Sequence, residues 1–229
     1  MKVLAFDTSN QTLSVALLED EHLQAETCLT VKKNHSISLM PVIDFLMQQV
    51  GWQPSDLERI AVAQGPGSYT GLRVAVATAK TLAYSLKIDL VGVSSLQALA
   101  LPVTSTAVLV PLIDARRQHA YVGFYQNGKA IAEDHYASID EIIEQAKTHD
   151  QVCFVGEVAV FAEKIATDFP EATYQASLPS AYEVGKLALS LPSADVDAFL
   201  PNYLKKVEAE ENWLKANQAG DRDDYIKRV

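Results

Sequence analysis

Three short stretches carry residue types that could do chemistry: Asp7-Thr8-Ser9-Asn10, Gln64-Gly65-Pro66-Gly67-Ser68-Tyr69-Thr70-Gly71-Leu72-Arg73, and Asp114-Ala115-Arg116-Arg117-Gln118-His119. A carboxylate followed by small hydroxyl residues, as at Asp7, Thr8 and Ser9, suits a turn that holds phosphate and its magnesium ion; the competing assignment is a carboxylate satisfied at a strand end. In the second stretch, Gly65 and Gly67 let the backbone turn sharply and Pro66 fixes its own φ. Ser68 or Thr70 can then cap the first amides of the helix that follows Gly71-Leu72-Arg73. Such a turn is either a platform for an anion or partner, or ordinary capping. It is not a Walker loop, since no Gly-Lys-Ser/Thr follows, and Thr70 stands where a dinucleotide fingerprint needs its third glycine.

No catalytic residue and no metal ligand is assigned. The histidines at 22, 35, 119, 135 and 149 never stand four apart on a helix, so no HExxH or HxxxH metal site can be read. No serine or cysteine has a nucleophile-elbow context, and Ser68 and His35 are the sole remaining candidates for a peptidase. His35 reads as a capping or surface group at a helix start. Arg116 and Arg117 read as partners of an acidic surface, with phosphate contact as the minority assignment.

The elements that must position these groups belong to a globular chain of 229 residues, 48% hydrophobic, long enough for one large or two modest domains. A net charge of −10 argues against an extended phosphate-neutralising face, so any RNA should be held by something else. Two cysteines, Cys28 and Cys153, suggest reduced core residues. With Asp7 interrupting the first apolar run there is no signal-peptide pattern and no segment of transmembrane length, so a cytoplasmic protein with no membrane partner is expected.

Val3 to Phe6 and Thr12 to Leu18 form a hairpin, and Leu23 to Val31 supplies a third antiparallel strand. Asn34 can cap a helix to Val50, with a kink or a later start expected at Pro41 and a stop at Gly51. Leu39, Ile43 and Leu46 share one face of it, while Ile37, Met40 and Phe45 add apolar area elsewhere. A strand at Arg59 to Ala63 leads through the glycine turn into a helix over Val74 to Lys87. Its alanines 75, 77, 79 and 83 make a smooth surface. A strand at Leu90 to Val93, a short helix through Ala100 and a join at Pro102 to Thr106 follow.

An offset of 107 residues then places Asp114 on Asp7 and Val122 to Tyr125 on Val15 to Leu18 without a gap, and Asn127-Gly128 marks the next hairpin. Lys129 to Tyr136 is the third strand of this second set. Helices over Ser138 to Lys147, about Val158 to Asp168 and Ser180 to Leu191, a strand at Val152 to Val155, and a charged helix over Val207 to Asn217 complete the reading. Both halves run strand, Asp, turn, strand, turn, strand, helix, which implies duplication.

That skeleton resembles the actin-like ATPase and sugar kinase fold. The expected class is α/β, with two tandem actin-like (ribonuclease H-like) subdomains at 1–103 and 104–229. Each is a mixed sheet opening with three antiparallel strands and flanked by helices. The first turn still suits the fold's magnesium-phosphate chemistry; the second does not, since Arg116, Arg117 and His119 bring bulk where backbone should approach phosphate. Gly156 is the only obvious glycine for an adenosine pocket.

Val3 to Ser9, the string from Gln64 to Arg73, Asp114 to Arg117, and Pro201-Asn202-Tyr203-Leu204 resemble the bacterial TsaB (YeaZ) family. The resemblance implies a noncatalytic scaffold or activator in the making of threonylcarbamoyladenosine on tRNA. In that system a catalytic paralogue, TsaD, carries an HxxxH metal motif absent from Val93 to Ala100 here. It also implies pairing with TsaD, or with a second copy when alone, through the first two helices, with the ATPase TsaE joining the pair. A nucleotide, ATP or ADP, can sit near that contact, and tRNA is met only indirectly. Mapped here, the interface set is Leu39, Ile43, Leu46, Leu72, Ala75, Val76, Ala79, Leu82 and Ala83. An autonomous actin-like ATPase or kinase is the alternative, and a peptidase acting on its paralogue a third.

Overall fold

The computed structural model, which describes residues 1–30 and 35–205, contains two five-stranded mixed sheets. The first comprises β1 (Lys2–Asp7), β2 (Thr12–Glu19), β3 (His22–Thr30), β4 (Arg59–Gly65) and β5 (Asp89–Ser94), ordered β3-β2-β1-β4-β5. The second comprises β6 (Val108–Asp114), β7 (His119–Gln126), β8 (Lys129–Ser138), β9 (Val152–Gly156) and β10 (Thr173–Gln175). Read from β8, its order β8-β7-β6-β9-β10 reproduces the first. In each, an antiparallel three-strand meander is continued by parallel strands, so the duplication seen in residue pattern is a duplication of topology.

Both faces of the first sheet are covered. Leu4, Phe6, Val15, Leu17, Ile60 and Val62 pack under α1 (His35–Val50) and α2 (Tyr69–Leu86). α1 runs continuously through Pro41; the expected cap Asn34 lies outside the described residues. α2 begins five residues earlier than periodicity predicts, because Ser68 takes the cap and accepts the Gly71 amide. The opposite face, with Val3, Ala5, Ala16 and Leu18, lies against α6 (Ala181–Ser190) through Ala181, Val184 and Ala188. The C-terminal part of the chain therefore returns to the first sheet.

This return continues beyond α6. The Ala194 amide donates to Leu90, Lys80 donates to the carbonyls of Asp197 and Phe199, and the Phe199 ring is buried in the first core. The second lobe thus spans 104 to about 176, and residues 181–204 belong with the first. The charged helix expected at Val207 to Asn217 lies outside the described residues.

In the second lobe one sheet face carries α4 (Ile139–Ala146) and α5 (Ala162–Asp168), the latter preceded by a 3₁₀ turn over Val158–Val160 where a longer helix is expected. The other face packs on α3 (Ser95–Ala100) through Leu96, Leu99 and Ala100. A polar clamp reinforces this contact. Ser94, at the end of β5, and Tyr125 of β7 each donate a 2.5 Å bond to the Asp134 carboxylate of β8.

Candidate functional site

The expected interface set is corrected by burial. Leu39, Ile43, Leu46, Leu72, Ala75, Val76, Ala79 and Ala83 are core, each at most 5% exposed, and Leu82 packs half-buried against them. Their shared periodicity marks the faces that α1 and α2 turn to their own sheet. The apolar groups these helices present to solvent are Ile37 (71% exposed), Met40, Phe45 and Tyr84. Along α2 the outward positions include the small residues Ala77, Thr81 and Ser85.

The glycine turn is the bed on which the first turn lies. Gly65 and Gly67 have φ of 128° and 159°, and the Gly65–Pro66 peptide is cis. The Ser68 amide donates to the Ser9 carbonyl at 2.6 Å, and the Thr8 hydroxyl donates to the Gly71 carbonyl at 2.8 Å. A Cβ at Gly67 or Gly71 would collide with the carbonyl of Ser9 or Thr8. On the other side, Asn202 donates to Gln64 and its carbonyl abuts Gly65. The motif's glycines are therefore explained by backbone packing, and capping takes precedence over an anion platform. Thr70 and Arg73 point outward at the start of α2, where the Arg73 guanidinium donates to the Tyr69 hydroxyl.

Between the lobes lies a cleft of about 740 Å³ lined by Ser9, Asn10, His35, Ser68 and Tyr69 from one side and by Asp114, Arg116, Tyr121 and Glu157 from the other. The repeated Asp turns thus meet across one opening. Asp7, two residues before the cleft-lining Ser9, is fully buried. One carboxylate oxygen accepts the Ser9 amide at 2.6 Å and the other, like the buried Ser9 hydroxyl, has no partner. Burial pushes this carboxyl up to about 6, against the lowering effect of the Ser9 amide.

The second turn uses up its own donors. Glu157 accepts the Asp114 amide at 2.8 Å, Asp114 accepts the Arg116 amide at 2.8 Å and its guanidinium at 2.9 Å, and the Ala115 amide donates to His119. Burial holds the Glu157 carboxyl above the usual carboxylate range, and the nearby Asp114 adds to the rise. Gly156 opens on no pocket, since its α-carbon faces the Leu99 side chain and the Leu112 carbonyl. A phosphate entering here would meet carboxylates and spent amides. These residues do not fit the phosphate group of the actin-like fold. The minority assignment for Arg116 gives way to its pairing with Asp114, although the partner lies in its own turn. Sequence reasoning missed Glu157, whose signal was only an acidic residue following Gly156.

Ser68 and His35 share the cleft but are engaged separately, Ser68 with the Gly71 amide and the His35 Nε2 with the Asn10 carbonyl. Among the described residues no group of three or more His, Cys, Asp or Glu side chains is placed to hold a metal ion, and no helix is long and apolar enough to cross a membrane.

Two duplicated mixed sheets facing each other across a cleft of Asp turns define an actin-like protein. A family model described as TsaD, tRNA N6-adenosine threonylcarbamoyltransferase, matches residues 29–213. The chain is 37% identical to the tRNA threonylcarbamoyladenosine biosynthesis protein TsaB of Bacillus subtilis, over 95% of this chain and 100% of that one. It is 33% identical to the protein of the same name from Escherichia coli over 55% of each chain. YeaZ from Pseudomonas aeruginosa superposes with a TM-score of 0.75 at 25% identity, covering 89% of this chain and 99% of that one. The chain belongs to this family, within its TsaB (YeaZ) group of tRNA threonylcarbamoyladenosine biosynthesis proteins.

Proposed function

We propose that this chain is a noncatalytic scaffold and activator of tRNA threonylcarbamoyl transfer, acting in the cytoplasm. The group passes from threonylcarbamoyl-AMP to the N6 amine of the adenosine beside the anticodon. The chemistry belongs to an HxxxH-bearing TsaD paralogue, and nucleotide turnover to a TsaE-type ATPase that joins the pair. ATP or ADP binds near the partner contact and not in the cleft of this chain, where phosphate would meet Glu157 and Asp114.

The observation that carries the reading is the exposed apolar set on α1. Ile37, Met40 and Phe45 have no covering element among the described residues, in a helix whose other side already supplies the core. Exposed apolar groups clustered on one element fit a partner surface. A second copy covers the same face when the paralogue is absent.

Light scattering on a sizing column tests this, with the protein alone and mixed with the HxxxH-bearing paralogue from the same source. A one-to-one complex lost in Phe45→Glu is the expected result. No association, together with magnesium-dependent ATP turnover by the lone chain that Asp7→Asn abolishes, would instead establish an autonomous ATPase.

A further inference from the structure

The rim of the inter-lobe cleft concentrates rings and cations. Tyr69, which lines the cleft, stacks on Tyr203 with ring centroids 5.0 Å apart, and both remain more than 40% exposed. The Arg73 guanidinium lies 5.4 Å from the Tyr69 ring centre. Two residues past Tyr203, the Lys205 ammonium stands 4.9 Å over the Tyr136 ring, which belongs to the second lobe. Tyr136 in turn stacks with His119 at 5.0 Å and lies 5.8 Å from Tyr121, which lines the cleft from the other side. A belt of rings edged by cations therefore crosses the mouth of the cleft from one lobe to the other.

The turn beside it is held in an unusual backbone. Arg116, Arg117 and Gln118 are three successive non-glycine residues with φ of 69°, 55° and 58°. Side chains disfavour that region, and such outliers concentrate where a side chain must be displayed. Here the turn folds the Arg116 guanidinium back onto Asp114 and leaves Arg117 and Gln118 exposed at the rim. Glu141 is tied to the Ser138 amide and hydroxyl.

We propose that this belt, Tyr69, Tyr203 and Tyr136 with Arg73 and Lys205, is a direct contact for unpaired RNA, with bases stacking on the exposed Tyr69 and Tyr203 rings and phosphates meeting the cations. The proposal rests on the tRNA-modification reading and departs from it in one respect: RNA touches this subunit as well as its partner. Rings offer a sequence-tolerant π-face, and arginines beside them add both charge and stacking. A duplex would gain only from the cations, and the overall charge of −10 opposes that gain. The site is thus suited to a loop, where bases can be splayed outward.

The test measures binding of a labelled anticodon stem-loop RNA and of a blunt RNA duplex, at several salt concentrations, to the lone chain at low salt and to its complex with the paralogue. Tyr69→Ala combined with Tyr203→Ala should weaken stem-loop binding roughly five- to a hundredfold without changing the salt slope. Phenylalanine at both positions should restore it. Arg73→Ala should lower the salt slope by about one. Stem-loop affinity unchanged in the double alanine variant, a loss equal for duplex and stem-loop, or no RNA binding in either form would each overturn the proposal. Light scattering on the same samples separates the two ideas: pairing intact with RNA contact absent removes this inference alone, and pairing absent removes the scaffold reading.

Discussion

Gly71 of α2 lies directly against the Thr8 carbonyl, while its own carbonyl accepts the Thr8 hydroxyl at 2.8 Å. Two segments sixty-three residues apart are thereby locked backbone to backbone. Gly71→Ala should cost about 2–3 kcal/mol, because neither carbonyl nor helix can retreat without breaking the Ser68 cap. Gly51→Ala, whose Cβ would meet nothing within 4 Å, should cost only about 1 kcal/mol from its φ of 71°. Urea denaturation of the two variants checks the difference.

The buried Asp7 carboxyl makes a prediction about pH. The folded protein holds that proton more tightly than the unfolded chain, whose carboxyl titrates at its ordinary value of 3.8. The stability attached to Asp7 is therefore full below about pH 4 and is lost as the pH rises through about 6. Asp7→Asn keeps an acceptor for the Ser9 amide and removes the charge. It should be more stable than the parent by up to about 3 kcal/mol above pH 6, with the gain shrinking towards pH 4. Urea melts at pH 4.5 and 7.5 measure it; equal differences at both values would show that Asp7 is not the group responsible.

Surface and core on the first two helices should separate in one pair of variants. Phe45 is 56% exposed and Ala79 fully buried. Phe45→Glu should leave stability within about 0.5 kcal/mol and weaken pairing. Ala79→Glu should cost several kcal/mol in the isolated chain, since it buries a charge without a partner. A thermal melt and a pairing assay on both variants distinguish the faces.

The returning segment is anchored by Phe199, 5% exposed in the first core beside Gly92. Phe199→Ala should cost about 3–4 kcal/mol, and hydrogen exchange should rise around Leu90 and Lys80, whose partners lie on that segment. If exchange rose around β9 instead, the segment would belong to the second lobe.

What was legible in the chain was whatever local chemistry decides. The paired Asp turns, the meander in each half and the helix starts at Ser138 and Ser180 follow from alternation, turn residues and apolar spacing, and all stand in the structure, where both serines act as caps. Periodicity reveals the apolar stripes of α1 and α2 but not what covers them, so the interface expected at Leu39 and Ala79 gives way to packing on their own sheet. β10, three exposed residues at a sheet edge, has almost no pattern to read. Glu157 over the Asp114 amide and Asp134 between Ser94 and Tyr125 join residues whose proximity only the fold creates. The glycine string was recognised as a turn, but its reason, a carbonyl pressed on each side, lies in segments far along the chain.

The first sheet is complete in sequence at Ser94 with α1 and α2 already on one face, yet its other face is covered only by α6, and Phe199 joins the first core about a hundred residues later. At ribosomal rates of roughly 5–20 residues per second, the nascent chain carries Val3, Ala5, Ala16 and Leu18 uncovered for on the order of 5–20 seconds. The second lobe can condense during that interval, because its sheet and both covering helices, α4 and α5, are contiguous between Val108 and Gln175. The later lobe can thus mature first, and the half that carries the exposed Ile37, Met40 and Phe45 is finished only once Phe199 has emerged.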